Sequence, residues 1–472
     1  MQRLRNGGIA VARLLARAGI IRQDRLRATV DLAWPRIVTG VAIMSKRVVD
    51  LALVGLVLGS TAVAGVTVAS AYWMAAKFAA IGLAGGTVSL VSQNYGGDEP
   101  GRAALVVEGS VFIALALALP AVALYVLAAE PLVGLLGASD ATVRYGAAYL
   151  AVVAPGLVFE FLNLIASRTY AGVGDTVTPM VVRAGGAVTN VVLSAVFVLG
   201  LDLGVEGAAL GTALATALVT VVFAWGMMGR SYFGRGASPI PLSLSGPHFD
   251  SGLMAQLVRV ASPLAARRFA QGLAVFPLLA IAAVFGEVAV AAVGIARQVR
   301  ELMNSFSWGF SIAASTLVGQ ALGGDEEGEA EAFGREITKL SVLVFVVVSV
   351  GVFAFAEPVA SVFVDSQADV AVTGAFVAVA AVSVVPLGID GSLTGVLRGA
   401  GDTRVPFAAT LVGLYLGALP MAWLGTVTAV GVVGLQAAFL VETAVPMAVN
   451  LHRFRTNRWK AVSRAYRPSA GD

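Results

Sequence analysis

Cysteine is absent from all 472 residues, so neither disulfides nor thiol chemistry can enter the argument. Histidine occurs only twice, at His248 and His452, and both lie near loops with no nucleophile–base pair or metal-ligand spacing around them. An enzymatic reading therefore has no constellation of groups to use. Charge is scarce as well: 13% of residues are Asp, Glu, Lys or Arg, about half the share usual in a soluble domain. No Gly-Lys-Ser/Thr loop is present to cradle the phosphates of ATP. Two-residue alternation of the kind a membrane barrel needs is missing too.

What remains is apolar. Hydrophobic residues make up 58% of the chain and the mean hydropathy is +0.86. Between Val48 and Gln93 the only charges are Asp50 and Lys77, and between Leu105 and Ala129 only Glu108. Such runs exceed the roughly 20 helical residues needed to cross hydrocarbon about 30 Å thick. The chain reads as an all-α membrane protein.

It is also duplicated, at a constant offset of 227 positions, as from Gly59 to Gly286. Gln93 with Gly96-Gly97-Asp98-Glu99 returns as Gln320 with Gly323-Gly324-Asp325-Glu326. Gly172-Val173-Gly174-Asp175-Thr176 with Pro179 returns as Gly399-Ala400-Gly401-Asp402-Thr403 with Pro406. Gly204-Val205 and Gly207 return as Gly431-Val432 and Gly434. Two homologous halves are a frequent design of membrane transporters.

Six spans are expected in each half, near 31–57, 65–92, 104–128, 141–171, 177–200 and 206–228, then 256–284, 290–320, 331–356, 367–398, 404–426 and 430–451. The expected organisation is a basic N-terminal segment 1–30, a six-helix lobe 31–228, a polar linker 229–255, a second lobe 256–451 and a basic tail 452–472. Seven arginines precede residue 31 and six basic residues follow Leu451, whereas loops near 129–140 and 357–366 carry none. Both termini are thus expected in the cytoplasm of a cell-membrane protein, with the repeats parallel. The segment with Val11, Leu14, Leu15, Ile20 and Ile21 reads either as an amphipathic helix on anionic headgroups or as an arm that enforces topology. The net charge of +4 arises largely from these termini and implies no nucleic-acid partner.

The motifs resemble a family. Pro35 and Val48-Val49-Asp50-Leu51-Ala52-Leu53-Val54-Gly55, the stretch Gly309 to Gln320, and Arg398-Gly399-Ala400-Gly401-Asp402-Thr403 are similar, in this order, to multidrug and toxic compound extrusion (MATE) transporters. The likeness is greatest to the prokaryotic branch related to the DNA-damage-inducible F proteins, and it covers about residues 30–450. The resemblance implies twelve transmembrane helices in two pseudo-symmetric six-helix bundles. It also implies secondary active export of small amphipathic compounds in exchange for H⁺ or Na⁺, by a monomer in contact with lipid and with no cofactor. A lipid-linked saccharide or anionic-lipid flippase of the same superfamily is the alternative.

Ionisable groups within spans are costly and tend to be functional. By resemblance Asp50 is the ion-coupling carboxylate, although Lys46 and Arg47, one turn earlier, could simply lock it in an ion pair. Tyr149 and Glu160, eleven residues or almost three turns apart in the fourth span, are expected to share a face, with Asn163 a turn further. Glu160 reads as a proton carrier or as a counterion for Arg168 or Arg183. Asn190 and Thr212 match family positions that line the first cavity. Ser194 stands where many members carry Asp, which leaves the coupling scheme open. Asp390, at the repeat position of Asn163, and Glu442 are the second-half candidates; for these groups plain interhelical hydrogen bonding is an equal alternative. Lys46, Arg47, Lys77, Arg183, Arg267, Arg268, Arg297 and Arg300 all fall in or near spans. Cations lining a cleft would favour anionic substrates, unless they snorkel or pair with carboxylates such as Glu301.

Overall fold

The computed structural model describes residues 15–135, 139–231, 237–240, 242, 250–364 and 366–466. Val11 and Leu14 of the expected amphipathic segment, and about half of the expected linker, lie outside them.

The first half contains α1 (Gln23–Gly96), α2 (Pro100–Leu127), the short α3 (Ala129–Gly134), α4 (Asp140–Val153), α5 (Gly156–Gly172), α6 (Val177–Ala195, prolonged by a π turn Val196–Gly200) and α7 (Gly204–Met227). The second contains α8 (Ser251–Leu273), α9 (Val275–Val284), α10 (Glu287–Gly323), α11 (Glu327–Ala354), α12 (Ala356–Ala360) and α13 (Gln367–Gly399). It continues with α14 (Arg404–Leu411), a π turn Val412–Ala418, α15 (Leu419–Val427), α16 (Val432–Arg455) and α17 (Arg458–Arg464).

Among the described residues nine helices are long and apolar enough to cross a membrane, ten if the bent pair α4–α5 is one span. One of the nine, α1, has 74 residues. At 1.5 Å per residue that is about 110 Å, far more than one bilayer. Gly59 (φ 78°, ψ −174°) breaks it into two spans. The 37-residue α10 is long enough but carries Arg297, Arg300 and Glu301 among its apolar residues. Six spans per half follow. Leu56, Leu127 and Leu416 are exposed by 83%, 85% and 74%, an apolar outer surface of the kind that spans present.

The repeat is visible in the backbone. Positive φ recurs at Gly59 and Gly286, Asp98 and Asp325, Gly174 and Gly401, and Gly204 and Gly431. After Gly174, Asp175 accepts from the Thr178 backbone N–H at 2.9 Å, capping α6. Its counterpart Asp402 instead pairs with Arg453 at 2.7 Å. The Gly-x-Gly-Asp-Thr loops are helix-to-helix turns.

The chain divides into two compact units, Pro35–Ala265 and Met1–Trp34 with Ala266–Asp472. In the first unit α7 packs against α4, α5 and α6. Gly65 on α1 lies so close to Gly146 on α4 that a Cβ on either would strike the other's backbone; small residues let transmembrane helices approach in this way. In the second unit α13 packs against α10, α11 and α16.

Two expectations are corrected. The span 141–171 is not straight: α4 and α5 are bent by 53° at Ala154-Pro155. Proline lacks the N–H that would continue the ladder, so the eleven-residue spacing of Tyr149 and Glu160 does not put them on one straight face. Leu15 and Ile21 do not lie on a membrane surface. They are 7% and 2% exposed and belong to the apolar core of the second unit, with Phe454 and Trp459. Arg25 secures the segment through Glu329 at 2.7 Å and Glu336 at 2.5 Å on α11.

Candidate functional site

Asp50 lies on the first limb of α1, nine residues before its break, and is 7% exposed. Asn190 on α6 and Thr212 on α7 close around it, at 0% and 8% exposure. With its amide turned to satisfy both neighbours, Asn190 presents its nitrogen to the Asp50 oxygens at 3.1 and 3.2 Å and its oxygen to Thr212 N and Oγ1 at 3.2 and 3.0 Å. Thr212 Oγ1 also stands 3.3 Å from Asp50 Oδ2. Tyr149, buried on α4, neighbours Asp50 and Thr212. Ser194, a turn beyond Asn190, is fully buried against Gly211, with its hydroxyl beside the Asp50 carboxylate. Asp50 forms no ion pair within 4 Å among the described residues; Lys46, half-buried, acts on it from a longer range. Arg47 is exposed.

Glu160 is held differently. Its Oε1 meets Lys77 Nζ at 2.6 Å and Arg183 Nη2 at 3.0 Å. Two cations therefore share one buried carboxylate. Asn163 is engaged in helix packing: its Nδ2 donates to Thr216 O at 3.0 Å and its Oδ1 accepts from Thr220 Oγ1 at 3.0 Å. Thr212, Thr216 and Thr220, spaced by four, place their hydroxyls on one face of α7. That spacing was a legible signal, and sequence reasoning took up only the first of the three.

In the second unit Asp390, at Asn163's repeat position, binds Arg267 Nη2 at 2.6 Å and accepts from Asn450 Nδ2 at 2.7 Å. Arg267 also donates to Thr410 and Thr394, at 2.7 and 2.9 Å. Glu442 on α16 accepts from Arg300 and lies 3.7 Å from Arg297. Arg300 stacks over Phe439 at 4.9 Å. Phe439 stands at the repeat position of Thr212, so the two units have diverged from donor cage to arginine clamp. Asn450, Thr394, Thr410 and Phe439 were not singled out from sequence, because nothing in their spacing points to an arginine on another helix.

The MatE family profile matches twice, over residues 35–196 and 263–424. The chain belongs to the MatE family. Both copies of the MatE match fall on the six-span halves, and the chain is a multi-pass membrane transporter. It is 26% identical over 451 residues to the probable multidrug resistance protein NorM of Bradyrhizobium diazoefficiens, covering 92% of this chain and 93% of that one. A protein of the same description from Thermotoga maritima is 24% identical over 317 residues, covering 66% and 67%. Among solved structures, a MOP-superfamily transporter from Pyrococcus furiosus, said to have a binding pocket of reverse polarity, superposes with a TM-score of 0.84 at 21% identity, covering 93% and 96%. A MATE structure in a bent conformation gives 0.86 at 21% identity, covering 94% and 97%. Among the described residues of this MatE chain, Asp50 is the one site carboxylate with no cation within 4 Å; Glu160, Asp390 and Glu442 each contact at least one guanidinium.

Proposed function

We propose that this MatE transporter is a secondary active exporter, moving small amphipathic organic compounds out of the cell in exchange for H⁺ or Na⁺ by alternating access. Relatives named as multidrug resistance and extrusion proteins support efflux. The basic ends support a cell-membrane orientation with both termini cytoplasmic, and the two-unit division supports a monomer that works through its own lobes. The motifs at Gly309–Gln320 and Arg398–Thr403 support the DNA-damage-inducible-F-like branch.

One observation carries the coupling assignment: Asp50 is buried yet caged by Asn190 and Thr212, both uncharged. A carboxylate in a cation pair is already compensated, and neutralising it strands its partner. A carboxylate with no cation within 4 Å can accept a proton or Na⁺ without breaking a direct ion pair, and Lys46 loses only a longer-range partner. Glu160, bridged by Lys77 and Arg183, is the anchor of the neighbouring helices in this scheme, and Ser194 needs no carboxylate of its own. Cation loading at Asp50 and substrate loading then favour different conformations, which is what exchange requires.

Proteoliposomes with separately imposed pH and sodium gradients test this. Wild-type protein should accumulate a dye under one gradient, and Asp50→Asn should abolish gradient-driven flux while leaving dye exchange without a gradient. Normal gradient-driven transport by Asp50→Asn removes Asp50 from the mechanism.

A further inference from the structure

The buried charges near Glu442 and Glu301 in the second unit do not balance. Arg267 is neutralised by Asp390 and fully engaged with Thr394 and Thr410. That leaves Arg268, Arg297 and Arg300 against two carboxylates, Glu442 and Glu301. Arg297 and Arg300 lie one turn apart on α10 and converge on the single carboxylate of Glu442. Arg268 donates only to the neutral Gln271, at 3.2 Å, and has no carboxylate within 4 Å among the described residues. Glu301, exposed on the same helix as Arg297, influences both Arg268 and Arg297 from longer range.

A second observation is independent of this charge balance. Arg300 is 8% exposed, and its Nη1 is buried with no acceptor. The guanidinium cannot readily swing to find one, because one edge is fixed by Glu442 and its face rests on Phe439, itself 1% exposed. A buried guanidinium N–H whose neighbours offer no acceptor calls for explanation. A guanidinium fork suits planar oxyanions in particular.

We propose that Arg297 and Arg300 form an anion-recognition site around Glu442, with Arg268 linked to it only through Glu301, and that the transported amphiphile carries a carboxylate or phosphate. This rests on the exporter reading for its physiological meaning, although the site itself does not. The anion supplies the missing charge, and one of its oxygens accepts from Arg300 Nη1. A cation and an anionic substrate carry opposite charge, so they do not exclude each other by repulsion. Exchange must therefore come from the two ligands selecting different conformations, not from competition of like charges.

The test measures equilibrium binding to full-length protein in neutral-lipid nanodiscs, with no gradient, using two probes that share a fluorophore: dansyl-undecanoate and dansyl-choline. Wild type should bind the undecanoate and prefer it over the choline probe. Glu442→Gln frees both arginines and should tighten undecanoate binding about tenfold, a gain that misfolding cannot mimic. Arg297→Gln, at the wetter edge, should weaken it at least fivefold. Displacement by dihexanoyl phosphatidylglycerol alone would identify a lipid headgroup as the ligand; displacement by benzoate or inorganic phosphate as well would identify a free anion. Either supports the site. A preference for dansyl-choline, or a Glu442→Gln variant with unchanged or weaker undecanoate binding, overturns it. Anion binding without gradient-driven flux would sink the exporter reading and leave the site standing.

Discussion

Gly59 and Gly286 adopt the same backbone conformation in the two halves of the chain, with φ of 78° and 97° and ψ of −174° and 173°. That region is open essentially to glycine alone. Each residue ends one span and starts the next, so a purely local constraint sets the hairpin at the same point of each repeat.

The space beside both glycines is empty to 4 Å, so substitution tests conformation without a clash. Gly59→Ala and Gly286→Ala should each lower stability by about 1–3 kcal/mol, with similar losses because the geometry repeats. Thermal unfolding in detergent measures this, and a loss at one site only would show that the two turns are not equivalent.

Lys77 and Arg183 both depend on Glu160. Glu160→Gln leaves two largely buried cations facing a neutral amide, and breaking a buried pair in this way costs about 3–5 kcal/mol. The melting temperature should fall, and Lys77→Met in the same chain should restore part of it. A Glu160→Gln protein as stable as wild type would mean the three groups are solvated in the folded state.

Asn190 and Thr212 should differ from Asp50 in kind. Asn190→Ala removes the donor that reaches both carboxylate oxygens and should shift the cation dependence of transport by about tenfold, near the 1.4 kcal/mol of one charged hydrogen bond. Thr212→Val, removing the longer contact, should shift it less. The readout is the half-saturating pH or sodium concentration in proteoliposomes; equal shifts, or none, argue against the cage.

The chain ends are predicted to be structural. Trp459 is fully buried, stacks on Phe454 at 5.8 Å and donates to the Phe454 carbonyl at 3.1 Å. Trp459→Ala should cost about 3–5 kcal/mol, and Leu15→Asp, in the same core, should be comparably harmful. If unfolding temperatures of both variants match wild type, the terminal segments do not belong to the folded unit.

Membrane class, duplication and the positions of the turns were legible without coordinates, because each is encoded locally. Span length is set by a run of apolar residues, and a left-handed turn is set by glycine at one position. Asp50 with Asn190 and Thr212 was legible through resemblance, and Glu160 with Arg183 was one of two counterions considered. Pairings such as Arg267 with Asp390, Arg300 with Glu442, or Lys77 with Glu160 join residues 123, 142 and more than 80 positions apart. They depend on how each helix is rotated and bent once packed, and hydropathy does not encode rotation. The 53° bend between α4 and α5 separated Tyr149 from the face predicted for Glu160, and core space drew in Leu15 and Ile21 that composition alone would leave on a headgroup surface. Local chemistry thus set the elements and their number; three-dimensional packing chose which carboxylates are compensated by a direct cation and which one, Asp50, is held without an ion pair.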